Sequence, residues 1–174
     1  DRCWFRSNLE TLVFANGDSI PYMDAESWGS TTIGQVTDFN HLGYNGASNW
    51  NHLNSKFYNW AAASDERGIC PSGWQIPSQE EWISLAVTYG NPAGLYDLSG
   101  TNLKGAGWIN PLNSGGFSVL EVGHVYPNGL GNPHQSYFWT RDSYYPVMIF
   151  SNGFFENTGL PGEGNSIRCV KDLE

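Results

Sequence analysis

Two stretches in the last third of the chain carry side chains suited to gripping a ligand. The first is Arg141, Asp142, Ser143, Tyr144, Tyr145 and Pro146. The second is Asn152, Gly153, Phe154, Phe155, Glu156 and Asn157. Tyrosine gives a large contact at small entropic cost, and Ser, Asn and Arg add adaptable hydrogen bonds, the mixture binding loops use. A sugar asks for the same combination, a flat apolar face with a polar rim. Arg141, Asp142, Ser143, Tyr144, Tyr145, Asn152, Phe154, Phe155 and Asn157 are therefore the candidate ligand-binding residues. The competing assignment places Tyr144, Phe154 and Phe155 in packing, because alternation along a strand turns about half of its side chains inward. The sequence leaves both open.

Catalytic and metal patterns are not found. The histidines His41, His52, His124 and His134 lack an i, i+4 partner ligand, and H-E-x-x-H is absent. Asp18, Asp24 and Glu26, and Asp65 with Glu66, are the nearest things to acidic clusters, but the spacing of an EF-hand is missing. No cofactor is expected. Calcium held by loop carbonyls and one or two carboxylates stays open. G-x-S-x-G is absent, and no glycine-rich phosphate loop opens a helix. Paired carboxylates for glycosidic cleavage also stay open, since that role depends on a separation the sequence does not give. The three cysteines, Cys3, Cys70 and Cys169, form no C-x-x-C. An oxidising compartment would join two of them and leave one thiol, and three reduced thiols are the alternative.

These residues need elements to hold them. Residues 69–89 are the best-defined stretch. Pro71-Ser72-Gly73 predicts a tight turn that brings Trp74 to the core. Ser78 and Glu81 form the S-x-x-E capping box. Trp82, Leu85, Ala86 and Tyr89 recur along one face, predicting a helix over 79–89 that Gly90 and Asn91-Pro92 end. A first helix is expected over 55–66, capped by Ser55, with Phe57, Trp60, Ala61 and Ser64 on one face. Asn16-Gly17-Asp18 marks a hairpin after residues 12–15.

Residues 19–54 should be a long irregular connection pinned by Tyr22, Trp28, Phe39, Tyr44 and Trp50. Residues 91–116 should be another, with Leu98, Leu103 and Trp108 in the core. Strands are expected over 117–125, 137–140, 147–151, 154–156 and 167–171, with Asn152-Gly153 closing the clearest hairpin. Helices first and strands later indicate an α+β fold: two helices and a small antiparallel sheet with long ordered loops.

Composition narrows the function classes. The 174 residues suit one domain over 1–172, with 173–174 read as a remnant of cloning. Charged residues are 14%, and Gly, Asn, Ser and Pro fill the gap, which suits ordered loops. The net charge of -9 repels a phosphate backbone, so nucleic acid is not an expected partner. No apolar run approaches the roughly 20 residues of a membrane span, so direct membrane insertion is not expected.

The stretch C-P-S-G-W-Q-I-P-S-Q-E-E-W (residues 70–82) resembles the C-P-x-G-W-x-x-P-S-x-x-E-W signature of the Fibrobacter succinogenes major paralogous domain. Phe57-Tyr58-Asn59-Trp60-Ala61-Ala62-Ala63 is similar to its Y-N-W-x-A segment. Gly116-Phe117-Ser118-Val119-Leu120 resembles G-F-S-A-L, and Tyr137-Phe138-Trp139-Thr140 resembles F-W-S-S. Ser166-Ile167-Arg168-Cys169-Val170-Lys171-Asp172 resembles S-V-R-C-V-K-D. The resemblance implies a bacterial, secreted or cell-surface domain with a C-type-lectin-like fold, nearest to the formylglycine-generating-enzyme variant. It also implies a disulfide between Cys70 and Cys169. Cys3 with Cys169 is the rival pairing, because the terminal strands of that fold lie together.

Formylglycine-generating enzymes need a reactive cysteine pair, whereas Cys70 and Cys169 match positions that look structural. The lectin calcium motifs E-P-N, Q-P-D and W-N-D are absent. In relatives of this fold, the region before the last strand displays ligand-contacting side chains. The resulting expectation is a non-catalytic adhesion or recognition module for an extracellular glycan or protein, within a larger surface protein. The alternatives are an assembly module of a surface fibre or phage tail, and an enzyme of the formylglycine-generating or polysaccharide-acting kind.

Overall fold

The computed structural model describes residues 2–43, 55–89, 103–104, 113, 116–132, 135–150, 153–156 and 159–173. For Asn132, Phe150 and residues 153–156 that description covers the backbone. The order of elements is β1 (Arg2–Trp4), β2 (Val36–Thr37), β3 (Phe57–Tyr58), α1 (Trp60–Ala63), α2 (Gln79–Tyr89), β4 (His124–Val125), β5 (Gly131–Asn132), β6 (Ser136–Phe138), β7 (Val147–Phe150), β8 (Gly153–Glu156) and β9 (Val170–Asp172). The fold is α+β, with two helices and antiparallel strand pairs, as expected. The one small sheet expected is four: β1–β9, β2–β3, β4–β5 and β6–β7–β8.

A single segment ties these sheets together. Gly164 bridges Val125, Asn165 bridges Tyr58, Ser166 bridges Phe138, and Val170 bridges Gln75. β9 then pairs with β1, with Trp4 opposite Val170. Residues 164–170 are all buried, so each of their backbone groups must find a protein partner. One chain segment therefore gives the small sheets a common axis. Gly164 has no room for a side chain: a Cβ there would lie 2.7 Å from the Trp28 ring and 3.1 Å from Phe57 Cβ.

The helix over 79–89 forms as its local signals require. The Glu81 N–H donates to Ser78 Oγ at 3.0 Å, and the Ser78 N–H donates to Glu81 Oε2 at 2.6 Å. Trp82 is fully buried and packs against Phe138 and Phe117 at centroid distances of 5.0 and 5.9 Å. The turn before α2 closes through the Trp74 N–H to Pro71 C=O at 2.9 Å, and Trp74 packs edge-on against Phe5. Gly90 lies outside the described residues.

The helix expected over 55–66 is corrected. Phe57 and Tyr58 are a strand paired with Thr37 and Val36, and the helix is the single turn Trp60–Ala63. Its cap is Asn59 rather than Ser55. Asn59 Oδ1 accepts from the N–H groups of Ala62 and Gln35, and its Nδ2 donates to the carbonyls of Ser30 and Ile33. Those distant loop partners hold Asn59 and start the helix five residues late. The strand expected over 117–125 is also corrected: only His124–Val125 is a strand. Ser118 (φ 56°) and Gly123 (φ 77°) adopt left-handed conformations that interrupt an extended run.

The late strands agree more closely, although the one expected over 167–171 is Val170–Asp172. β7 and β8 pair from Val147 opposite Glu156 to Phe150 opposite Gly153, so the expected turn at Asn152-Gly153 is corrected: Gly153 is the first residue of β8. The turn after β4 closes through the Gly129 N–H to Tyr126 C=O at 3.0 Å. Cys70 and Cys169 are joined by a disulfide, and Cys3 keeps its thiol, which overturns both the reduced state and the Cys3–Cys169 pairing. Leu103 is fully buried, while Leu98, Trp108, Tyr44 and Trp50 lie outside the described residues.

Candidate functional site

The loop from Arg141 to Pro146 joins β6 to β7 and rests on the start of α2. The Arg141 N–H donates to Pro77 C=O at 2.9 Å. Its guanidinium donates to Ile76 C=O at 3.1 Å and to Glu81 Oε2. Asp142 Oδ2 accepts from the Gln79 N–H at 2.8 Å, adding a second cap where helix N–H groups lack partners. Inside the loop, Thr140 Oγ1 donates to the carbonyls of Ser143 (3.2 Å) and Tyr145 (3.3 Å), and Ser143 Oγ accepts from the Tyr145 N–H. The loop is irregular in outline and braced by these hydrogen bonds.

That bracing occupies the polar groups of some of the residues expected to contact a ligand, although Arg141 and Asp142 stay exposed. Arg141 and Asp142 use their charged groups on α2, and Ser143 uses its hydroxyl within the loop. Tyr144 and Tyr145 stay at the surface, 37% and 45% exposed, with rings tilted at 52° and centroids 4.7 Å apart. Phe154 and Phe155 lie in β8 opposite Ile149 and Met148. Asn152 and Asn157 lie outside the described residues.

Glu81 is the residue that sequence reasoning missed at this site. Its carboxylate is 5% exposed, yet it takes the Ser78 N–H, Arg141 on one oxygen and Arg2 Nε at 3.1 Å on the other. Burial alone would raise its pKa, but the Arg141 hydrogen bond, the Ser78 N–H and the charges of Arg141 and Arg2 together hold it below the ordinary carboxylate range. Glu81 thus caps α2, anchors the tyrosine loop and fastens the N-terminal strand. The capping-box spacing marks only the first of these roles.

Two further polar clusters stand apart from the loop. Asp38 accepts from Lys56 Nζ at 2.5 Å, from the Tyr22 hydroxyl and from the His41 N–H at 2.7 Å, while Tyr22 and His41 stack at 4.2 Å. Burial works against each charge, yet the mutual bonds leave the Lys56 pKa raised and the Asp38 pKa lowered. The mutual bonds tie Tyr22, Asp38, His41 and Lys56 together across three loop segments. The second cluster is His124, 5% exposed, with its ring between those of Tyr126 (4.6 Å) and Tyr137 (4.3 Å) and, among the described residues, no partner for Nδ1. Among the described residues, no group of three His, Cys, Asp or Glu side chains could hold a metal ion.

The His124 pKa is pushed down to about 4 by burial, from 6.5. The folded state therefore holds the neutral ring, and the unfolded chain takes up the proton first. Stability from this group is complete above pH 6.5 and is lost as pH falls toward 4. The full loss is about 3 kcal/mol, from 1.36 kcal/mol per tenfold change in proton affinity. Urea midpoints at pH 7, 5.5 and 4.5 measure it, and His124→Phe should flatten the profile across that window. An unaltered profile in His124→Phe would assign the acid sensitivity to other groups.

The Fibrobacter succinogenes major domain matches residues 1–171. The chain belongs to that family. Neither the curated proteins nor the solved structures give a match. In this Fibrobacter succinogenes major domain, the family signature falls on scaffold. Trp82, Phe138, Trp139, Arg168 and Cys169 are fully buried, and Ser78 and Glu81 cap α2. The Trp139 indole donates to Tyr58 C=O at 2.6 Å, joining two of the signature segments. Tyr144 and Tyr145 lie just beyond the F-W-S-S match, on the loop that this scaffold presents.

Proposed function

We propose that this domain is a non-catalytic recognition module, secreted or displayed at a cell surface, that binds an extracellular glycan or protein through the Tyr144–Tyr145 shelf. The observation that carries the reading is the pairing of two exposed rings with a loop whose backbone is fixed to α2. A held loop has little freedom left to lose, so ring contacts convert to affinity efficiently. A C-type-lectin-like architecture, which the sequence resemblance implies, would carry loops on a rigid base and so supports the same reading. The buried disulfide is compatible with an oxidising, extracytoplasmic setting, and no described helix is long and apolar enough to cross a membrane.

Glycan-array and pull-down screening should yield a ligand, and Tyr144→Ala with Tyr145→Ala should weaken it about tenfold or more, as expected for central aromatic contacts. Both side chains are surface residues, so the melting temperature should hold. Unchanged affinity in the double variant would remove the shelf from the site. Assembly into a fibre would instead use exposed Ile33, Leu130 and Leu160. Self-association in sedimentation velocity that survives the tyrosine changes would favour that role.

A further inference from the structure

A groove of about 470 Å³ runs between β1 and α2, lined by Arg2, Trp4, Glu81, Ser84, Leu85, Thr88 and Tyr89. Its size lies in the range of small-ligand clefts, roughly 300–1,000 Å³. Its chemistry narrows the occupant. Trp4, Leu85 and Tyr89 supply apolar and aromatic surface, and Ser84 and Thr88 supply hydroxyls on successive turns of the helix. Thr88 Oγ1 donates to Ser84 C=O at 2.8 Å and so keeps its lone pairs for an incoming donor.

The charges in the groove cancel locally. Arg2 Nε lies 3.1 Å from both Glu81 Oε1 and Asp172 Oδ1, and Glu81 is shared with Arg141. An anion would have to compete with two carboxylates already on Arg2, in a protein of net charge -9. A lipid tail would leave Arg2, Glu81, Ser84 and Thr88 facing hydrocarbon, with their hydration lost and nothing in return. A neutral polyhydroxylated ligand fits both constraints. Its C–H face meets aromatic surface, and its hydroxyls exchange hydrogen bonds with Ser84, Thr88 and the half-exposed guanidinium of Arg2.

We propose that the groove between β1 and α2 is a binding subsite for a neutral saccharide chain. This deepens the recognition reading above and rests on it, while placing the sugar away from the Tyr144–Tyr145 shelf. Glu81 links the two places, holding Arg141 under the shelf and Arg2 at the groove with its two oxygens.

Isothermal titration with neutral glucan, xylan and mannan oligosaccharides, and with oligogalacturonate as an anionic counterpart, tests it. At least one neutral oligosaccharide should bind, and Ser84→Trp, a surface change that fills the groove, should weaken it about tenfold or more. Thr88→Trp serves as a second filling variant if the first is unstable. On wild-type protein, the Trp4 indole N–H resonance, assigned by comparison with Trp4→Phe, should shift during the same titration. Binding that both filling variants retain, a Trp4 resonance that does not move, no neutral oligosaccharide bound, or oligogalacturonate bound in preference would each overturn the subsite. Sugar binding lost in the tyrosine variant and kept in the filling variants would overturn the groove and leave the recognition reading standing. Sugar binding that survives the tyrosine changes and falls in the filling variants supports the groove and removes the shelf.

Discussion

Replacing Arg168 with methionine is expected to remove about 2–4 kcal/mol of folding stability, from buried acceptors left without their donor. Arg168 is fully buried, and among the described residues its partners are neutral. Its Nε and one Nη share Asn8 Oδ1 at 3.1 Å, that Nη also donates to Ser118 C=O at 3.2 Å, and the other Nη donates to Phe117 C=O. The guanidinium also lies over the Phe117 ring, 4.3 Å from its centroid. Burial pushes its pKa down to about 9, which shows how strongly the site opposes the charge.

The charge is tolerated because one planar fork satisfies three acceptors from two chain segments, Asn8 and residues 117–118. Those acceptors explain why methionine fails despite its similar length: it leaves Asn8, Phe117 and Ser118 without a donor, each at about 1–3 kcal/mol, offset in part by release from burying a cation. Lysine should also fail, since a single ammonium does not span the fork. Guanidinium chloride denaturation of both variants is the measurement. A loss below about 1 kcal/mol in Arg168→Met would show that the surrounding backbone relaxes to water.

How much of this could be read beforehand depends on the distance between partners. The start and buried face of α2 were legible because Ser78, Glu81, Trp82 and Ala86 state them within nine residues. The β7–β8 pairing was legible from two apolar runs flanking Asn152-Gly153, but the turn was misplaced, since Gly153 pairs within β8 opposite Phe150. α1 was misread because the residues that decide it, Ser30, Ile33 and Gln35, sit 24 to 29 positions from Asn59. Helical spacing of Phe57, Trp60 and Ala61 was real, yet pairing with β2 claimed Phe57 and Tyr58 first. The strand over 117–125 failed on backbone conformation, since nothing in Phe117-Ser118-Val119 announces a left-handed serine.

The candidate site divides along the same line. Composition marks Tyr144 and Tyr145, and the structure leaves both exposed. The turning of Arg141 and Asp142 onto α2 spans 60 and 63 residues, so no local pattern reveals it. Nor does any pattern place Arg2 beside Glu81. The groove between β1 and α2 arises only because β9 carries β1 to that side of the helix.

The second large effect should come from the Cys70–Cys169 disulfide. It joins residues 99 apart, and a cross-link closing a loop near that length removes roughly 4–5 kcal/mol of unfolded-state entropy. Geometry adds to this figure. Cys70 follows Ile69 in the core cluster that holds Tyr58, Trp139 and Ile167, and Cys169 belongs to the segment that joins the small sheets. Small sheets with two or three strands are marginal alone, so their shared segment must be held in register for any of them to persist. The disulfide pins that segment to the turn preceding α2, whose Gln75 pairs with Val170 on the same side.

Cys70→Ala with Cys169→Ala should therefore lower the melting temperature by about 10–20 °C, using roughly 2–4 °C per kcal/mol for a domain this size. Cys3→Ser, which leaves the bond intact, should change it little. The double variant should lose β1–β9 protection in hydrogen exchange before it loses α2, because α2 keeps its own caps and its packing on Phe117 and Phe138. A double variant melting within a few degrees of wild type would mean that burial of residues 164–170 alone fixes the sheets, and that the cross-link serves another purpose.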